Sequence, residues 1–212
     1  FWTADEIILL DVSKKNKLSK KFLEIVKYFS LNCFVPISAG GGIKSMKDVS
    51  LLFKTGTDKV IINSSTYKNP NLVKKISKSY GSQAIIHSID CKKKPDGNYT
   101  VMVNNGHIDT NYSPIDWANI ATENGCGELL INNIDNDGSL LGYDLDLICN
   151  ITNRFDCPVL GLGGAGNWEH IYQLFKVTNV SGACTQNIYH FTNESLKSAK
   201  SYLKSKQILI RE

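Results

Sequence analysis

Short apolar runs of strand-forming residues recur along the chain: Ile7–Leu10, Pro36–Ala39, Lys59–Ile62, Ala84–Ile89, Leu129–Ile134, Pro158–Gly161 and Val180–Thr185. Within each run apolar residues follow one another instead of alternating with polar ones. That is the pattern of strands buried on both faces of a parallel sheet. Helix signals lie between the runs. Ser45 is placed to cap a helix through Leu52 and Phe53, and Asn69-Pro70 reads as an N-cap followed by the first helical residue. Ser113-Pro114-Ile115-Asp116 supplies an N-cap, a first-position proline and an acidic third residue ahead of Trp117. The βα rhythm continues with no linker-like stretch, so the chain is expected to form a parallel α/β domain, either a barrel or a doubly wound sheet.

An internal repeat separates these two architectures. Glu6 and Glu128, Gly41 and Gly163, and Leu52 and Leu174 each stand 122 residues apart, within similar local sequence. Two repeats of four βα units make the eight of a (β/α)8 TIM barrel, whereas a doubly wound sheet has no reason to repeat in this way. Two repeats of 122 need 244 residues, 32 more than the 212 of the chain. The deficit falls at the front, where Phe1 corresponds to residue 123, at the end of the helix of Trp117. The expectation is therefore one partial barrel domain over residues 1–212, N-terminally truncated. Its half-barrel repeats would cover about 1–83, incomplete, and 84–212, with the first strand and most of the first helix missing.

Composition narrows the function classes. With 42% hydrophobic and 21% charged residues the chain is an ordinary globular sequence, and no apolar run is long enough for a membrane span. The net charge of +4 is mild. Its densest clusters, Lys14-Lys15-Asn16-Lys17 with Lys20-Lys21 and Cys91-Lys92-Lys93-Lys94, read first as solvated surface, so neither nucleic acid nor membrane is expected as a partner. The six cysteines show no CxxC and no Cys/His ligand spacing, which argues against zinc and for reduced thiols in the cytoplasm.

In a βα barrel the C-terminal strand ends line the active site. Here they carry Asp11, Asn63-Ser64, Asp90, Asp135 and Asp137-Gly138. One aspartate at such a place is commonly an Asx turn or a helix cap. As a set without histidine they suit acid–base chemistry on a polar small molecule rather than a metal. Two glycine turns, Gly40-Gly41-Gly42 and Gly163-Gly164-Ala165-Gly166, follow strands at repeat-related places. Glycine lets backbone N–H groups approach a phosphate closely. Two such turns imply a ligand with a phosphate at each end. At the opposite strand ends, Glu6, Lys59 and Glu128 read either as a solvated salt-bridge ring or as a gate over an axial channel.

Together these residues resemble the cyclase subunit of imidazole glycerol phosphate synthase and its close relatives. The matching stretches are Ala4–Asp11, Gly40–Ile43, Thr57–Asn63, Gly81–Ala84 through Asp90, Ile134–Gly138 with Gly142–Asp144, and Gly163–Gly166. The resemblance implies an enzyme of histidine biosynthesis that needs no cofactor. A glutaminase partner docked at the N-terminal barrel face releases ammonia, which passes along the barrel. The ammonia then attacks a bisphosphorylated ribulosyl formimino aminoimidazole carboxamide nucleotide. Lyase and cyclisation steps yield imidazole glycerol phosphate and aminoimidazole carboxamide ribotide. By motif match Asp90 is the general acid, and its partner base falls about 33 residues before Phe1, so residues 1–212 alone are expected to be inactive. Asp11 and Asp137 would hold the middle of the substrate. Gly42, Asn63 and Ser64 would bind one phosphate, and Gly138 and Gly164 the other. Glu6, Lys59 and Glu128 match the ammonia gate.

Some positions depart from the family pattern. Leu162 and Gln186-Asn187 stand where small residues flank the second phosphate, and Asn132-Asn133 replaces small hydroxyl residues. With Ser88–Lys93 these resemble a paralogous branch. That branch pairs with a glutaminase and is associated with ammonia supply for amidino sugars of surface polysaccharides, its barrel serving mainly as an ammonia conduit.

Overall fold

The computed structural model describes residues 4–13, 17–186, 188 and 196–211. Lys14, Lys15, Asn16 and Asn187, singled out above, lie outside the described residues. The chain divides into two compact units. One runs up to Ser88 and takes in Asn119–Glu128; the other comprises Ile89–Ala118 and the chain from Leu129 onward.

In the first unit, strands β1 (Ile7–Leu10), β2 (Ile37–Gly40), β3 (Lys59–Ile62) and the start of β4 (Ile85–Lys93) pair in that order, all parallel. The register sets Ile7 beside Ile37, Ala39 beside Val60 and Ile61 beside Ile86. Helices α1 (Lys20–Asn32), α2 (Met46–Thr55), α3 (Ser65–Lys68) and α4 (Asn71–Tyr80) make the connections. β2 is buried along its whole length, its Ile37 and Ala39 set beside the small residues Ser38 and Gly40. Ser45 starts α2 with a reciprocal capping box: its hydroxyl accepts from Asp48 N, and the Asp48 carboxylate accepts from Ser45 N at 2.9 Å. Gly56, in left-handed geometry at φ 108°, ends the helix. α4 begins one residue later than Asn69-Pro70 suggests, with Pro70 at its N-cap and Leu72, Val73 and Ile76 turned into the core.

In the second unit, β7 (Glu128–Asn133), β8 (Val159–Leu162) and β9 (Gly182–Ala183) pair parallel in chain order. Helix α5 (Pro114–Glu123) begins in this unit and ends in the Asn119–Glu128 segment of the first, and helices α6 (Leu145–Thr152), α7 (Trp168–Val177) and α8 (Leu196–Ser205) complete the succession. Ser113 caps α5 as expected, its hydroxyl accepting from Asp116 N at 3.1 Å. The stretch between β4 and the Ser113 cap, which shows no strand among the apolar runs of the sequence, folds back antiparallel. β5 (Tyr99–Val103) sets Tyr99 beside Lys93 and Met102 beside Asp90, and β6 (Ile108–Asp109) pairs with β5 in turn.

The repeat is visible in the geometry. β2 and β8, and likewise α2 and α7, have identical bounds when shifted by 122 residues. Asn167 caps α7 at the position that Ser45 holds on α2, accepting from His170 N at 3.0 Å. Parallel strands joined through helices, in two related halves, are the (β/α)8 barrel class that the sequence implies.

Candidate functional site

At the strand starts of the first unit, Lys59 stands between two carboxylates. Its Nζ lies 3.1 Å from Glu6 and 2.6 Å from Glu128, with the Lys59 side chain 17% exposed. Burial works against the ammonium charge. Hydrogen bonds to Glu128 and Glu6, with their fields, outweigh it and hold the Lys59 pKa above the usual lysine value. The three residues read together from sequence are thus one charged cluster with a net charge of one carboxylate.

At the strand exits of the same unit, Asp11 is buried and both of its carboxylate oxygens are engaged. Oδ1 accepts from Ser13 N at 3.0 Å and Oδ2 from Leu18 N at 2.8 Å. Burial pushes this carboxyl up, but its hydrogen bonds with Ser13 and Leu18 and the charge of Lys17 prevail, so it lies below the ordinary aspartate range. Gly41 and Gly42 turn at φ 98° and 83°. A side chain at Gly41 would collide with the backbone of Asp11, and one at Gly42 with Lys17. Gly40 pairs with Ile61, which brings the glycine turn and Asn63-Ser64 to the same end of neighbouring strands. The Asn63 carbonyl accepts from Thr66 N at 3.1 Å and Thr66 Oγ1 at 2.7 Å. Thr66 Oγ1 also meets Nε2 of the buried His87, whose pKa burial lowers to about 4.

In the second unit, Asp90 projects from β4, and its Oδ1 accepts from Asn132 Nδ2 at 3.1 Å. Asn132 pairs in register with Leu162, directly before Gly163 and Gly164 at φ 92° and 101°. The loop carrying Asp137 and Gly138 leaves β7 in a tight turn, with Asn136 N and Asp137 N both donating to Asn133 O at 3.1 Å. Asp137 and Gly138 are exposed. This loop and the Gly164 turn are tied through Gly142: Gly142 N donates to Gly164 O at 2.7 Å, and Asn136 Nδ2 donates to Gly142 O at 3.0 Å. Gly138 and Gly164, predicted to share a phosphate, are therefore on mutually bonded loops.

Asp144 has a part that the sequence reading did not give it. Its carboxylate accepts from Tyr99 Oη at 2.7 and 2.9 Å, from Asn133 Nδ2 at 2.6 Å and from Leu147 N at 3.1 Å. It thereby joins the β5 hairpin, the end of β7 and the start of α6. Burial first, then the Asp144 hydrogen bond and charge, push the Tyr99 pKa upward. Beside it lies a cleft of about 530 Å³ lined by Lys93, Asn133, Asp135, Asn136, Tyr143 and Asp144, among others. Recognising this hub from sequence needed the Tyr99–Val103 strand, whose Asp96-Gly97 turn was the available signal.

The sequence matches the family model for histidine biosynthesis proteins over residues 2–194. Among curated proteins, an imidazole glycerol phosphate synthase subunit HisF from Hydrogenobaculum sp. (strain Y04AAS1) is 36% identical over 208 residues, covering 98% of this chain and 82% of the relative. The HisF subunit of Chlorobium limicola is 38% identical with the same coverage. That of Clostridium botulinum is 35% identical over 209 residues, covering 98% and 83%. Matches of this extent place the chain in the histidine biosynthesis protein family, with the HisF subunits of imidazole glycerol phosphate synthase.

Proposed function

We propose that the protein is the cyclase subunit of imidazole glycerol phosphate synthase. It would use ammonia from a glutaminase partner to convert the bisphosphorylated ribulosyl formimino aminoimidazole carboxamide nucleotide to imidazole glycerol phosphate and aminoimidazole carboxamide ribotide. The observation that carries this reading is the pair of repeat-related glycine turns, Gly41-Gly42 and Gly163-Gly164, each in left-handed geometry at a strand exit. Such turns present backbone N–H groups to an anion, and a pair of them suits a ligand with two phosphates.

Asp90 acts as general acid, and Asp11 and Asp137 hold the polar middle of the substrate. One phosphate is bound by Gly42, Asn63 and Ser64, the other by Gly138 and Gly164. Glu6, Lys59 and Glu128 gate ammonia delivered by the glutaminase at the N-terminal face, and the two repeats act as half-barrels of one cytoplasmic enzyme. Among the described residues no helix is long and apolar enough to cross a membrane.

The test is turnover of the bisphosphate with ammonium salt in place of the glutaminase. The full-length protein should be active, and Asp90→Asn should reduce kcat by at least about a hundredfold, the usual contribution of a general acid. Absence of turnover by the full-length protein would refute the cyclase reading. It would favour the second one, in which the protein conducts ammonia for a glutaminase serving amidino-sugar synthesis. Leu162 supports that alternative: it places an aliphatic side chain directly before Gly163-Gly164, where a hydroxyl would serve a phosphate. Gain of cyclase activity in Leu162→Ser with Gln186→Ala would identify those two side chains as the obstacle.

A further inference from the structure

We infer that Lys17 is a phosphate-binding residue: its ammonium completes the Gly41-Gly42 turn as a site for a doubly charged phosphate close to the Asp11 carboxylate. The inference rests on the reading of that turn as the first phosphate site. Lys17 is half-buried and lies along the turn. A Cβ on Gly42 would meet Cβ, Cγ and Cδ of Lys17, with Cδ at 2.7 Å. The side chain that Gly42 lacks thus leaves the groove in which the lysine stem runs. Nζ stands two bonds beyond Cδ, so the charge stays at the turn. The backbone on the far side of Lys17 is fixed. Leu18 N donates to Asp11 Oδ2 at 2.8 Å, and Ser19 caps α1 by accepting from Phe22 N at 3.3 Å.

The surroundings give the cation a task. A side chain on Gly41 would collide with the backbone of Asp11, so an anion held by the N–H groups of the turn comes close to an aspartate. That aspartate is held ionised: burial raises its pKa, and the hydrogen bonds of Ser13 and Leu18 with the charge of Lys17 bring it below the ordinary range. Two negative charges side by side repel strongly where water is partly excluded, unless a cation stands with them. Lys17 acts on Asp11 through its field, yet among the described residues it forms no ion pair. Both Asp11 oxygens accept backbone N–H instead. The other repeat has the same frame without the charges. Asn133 stands where Asp11 does, Ser139 where Lys17 does and Gly164 where Gly42 does, each 122 residues on. The atom nearest to a Cβ on Gly164 is the carbonyl oxygen of Gly142, not a lysine stem. The turn beside a carboxylate has a cation and the turn beside an amide has none, which is the pattern that charge compensation requires.

The experiment is calorimetric titration of the full-length protein with inorganic phosphate. Lys17→Met keeps a stem on Gly42 and removes the charge. Lys17→Gln does the same with a polar end, so a folding failure of one leaves the other. Each should weaken binding at one of the two phosphate sites about tenfold, the scale of a lost hydrogen bond to a charged group, and leave the other site as in the parent. Lys17→Arg should keep most of the affinity. Added salt should weaken phosphate binding more in the parent than in Lys17→Met, a difference that a merely structural lysine would not produce. In ammonium-dependent turnover, KM for the bisphosphate should rise by a similar factor in Lys17→Met, with kcat changed far less. Phosphate affinity and salt dependence equal to the parent's in a folded Lys17→Met or Lys17→Gln overturn the inference alone. A parent that binds no phosphate overturns the reading of the glycine turns, and the inference with it.

Discussion

Asp11, directly after β1, and Asn133, the last residue of β7, stand 122 residues apart and close the same local bond: each Oδ1 accepts from the backbone N–H two residues on, Ser13 at 3.0 Å and Asp135 at 2.9 Å. Their second side-chain atoms do opposite things. Asp11 Oδ2 accepts from Leu18 N, whereas Asn133 Nδ2 donates to the Asp144 carboxylate. The two repeats therefore need an acid at one position and an amide at the other.

Exchanging them should harm both. Asp11→Asn turns an amide donor toward Leu18 N, and Asn133→Asp sets a second carboxylate against Asp144. Each substitution installs the residue found at the equivalent place in the other repeat, and each is nearly isosteric. We expect a loss of about 1–3 kcal/mol in each case, the magnitude of a lost charged hydrogen bond. Urea unfolding of each variant beside the parent measures it. A midpoint unchanged in either would show that the side chain's second atom is not needed.

The pH dependence of Asp11 has a definite sign. Its folded pKa lies below the unfolded value, so the stability it contributes is present above the unfolded pKa and is lost as pH falls through the folded one. Unfolding free energies measured from pH 6 down to pH 2 should fall more steeply in the parent than in Asp11→Asn, with the difference between the curves opening below about pH 4. Parallel curves would mean that this carboxylate is not held in the charged form.

Much of this was legible in the sequence because the fold repeats. The offset of 122 that links Glu6 to Glu128 also links β2 to β8 and α2 to α7 in the structure, since equal spacing of apolar and capping residues gives equal elements. Other features were not legible. Leu18 and Leu140, again 122 apart, both adopt left-handed backbone at φ 56° and 62°, a geometry that leucine does not advertise. The Tyr99–Val103 strand was hidden because it pairs antiparallel with a strand whose apolar run reads as part of the βα rhythm. The partners of Asp144 depend on that hairpin, so the hub stayed hidden with it.

The Lys59 cluster should show unequal partners. Glu128 lies closer, at 2.6 Å, with its side chain 14% exposed, while Glu6 lies at 3.1 Å with 40% exposed. Solvent screens the second pair more, so Glu6→Gln should change stability by no more than about 0.5 kcal/mol and Glu128→Gln by about 1–2 kcal/mol. The folded pKa of Lys59 is raised, so its contribution is fully present below the unfolded pKa and is lost as pH rises through the folded one. Between about pH 10 and 12 the parent should lose more stability than Lys59→Met. Denaturation midpoints at pH 7 and pH 11 test both statements. Equal effects of the two glutamate substitutions would show that exposure does not set their difference.

Glycine in left-handed geometry carries two separable constraints, and this chain offers each in a different proportion. Gly97, at φ 88° in the β4–β5 turn, has nothing within 4 Å of where a Cβ would stand. Alanine there meets only the backbone preference, about 1–2 kcal/mol for an L-residue in that region. Gly164, at φ 101°, would place its Cβ on the carbonyl oxygen of Gly142, the residue whose N–H donates to Gly164 O at 2.7 Å. Alanine there meets the same preference and must also break or displace that bond, which ties the Gly164 turn to the loop of Asp137 and Gly138. Gly97→Ala should therefore lower stability by about 1–2 kcal/mol with phosphate-ligand affinity unchanged. Gly164→Ala should cost more than about 3 kcal/mol, combining backbone strain with a lost buried bond, and should weaken inorganic phosphate binding in calorimetry. Equal destabilisation by the two substitutions would mean that the Gly142–Gly164 contact imposes no constraint beyond the backbone angle.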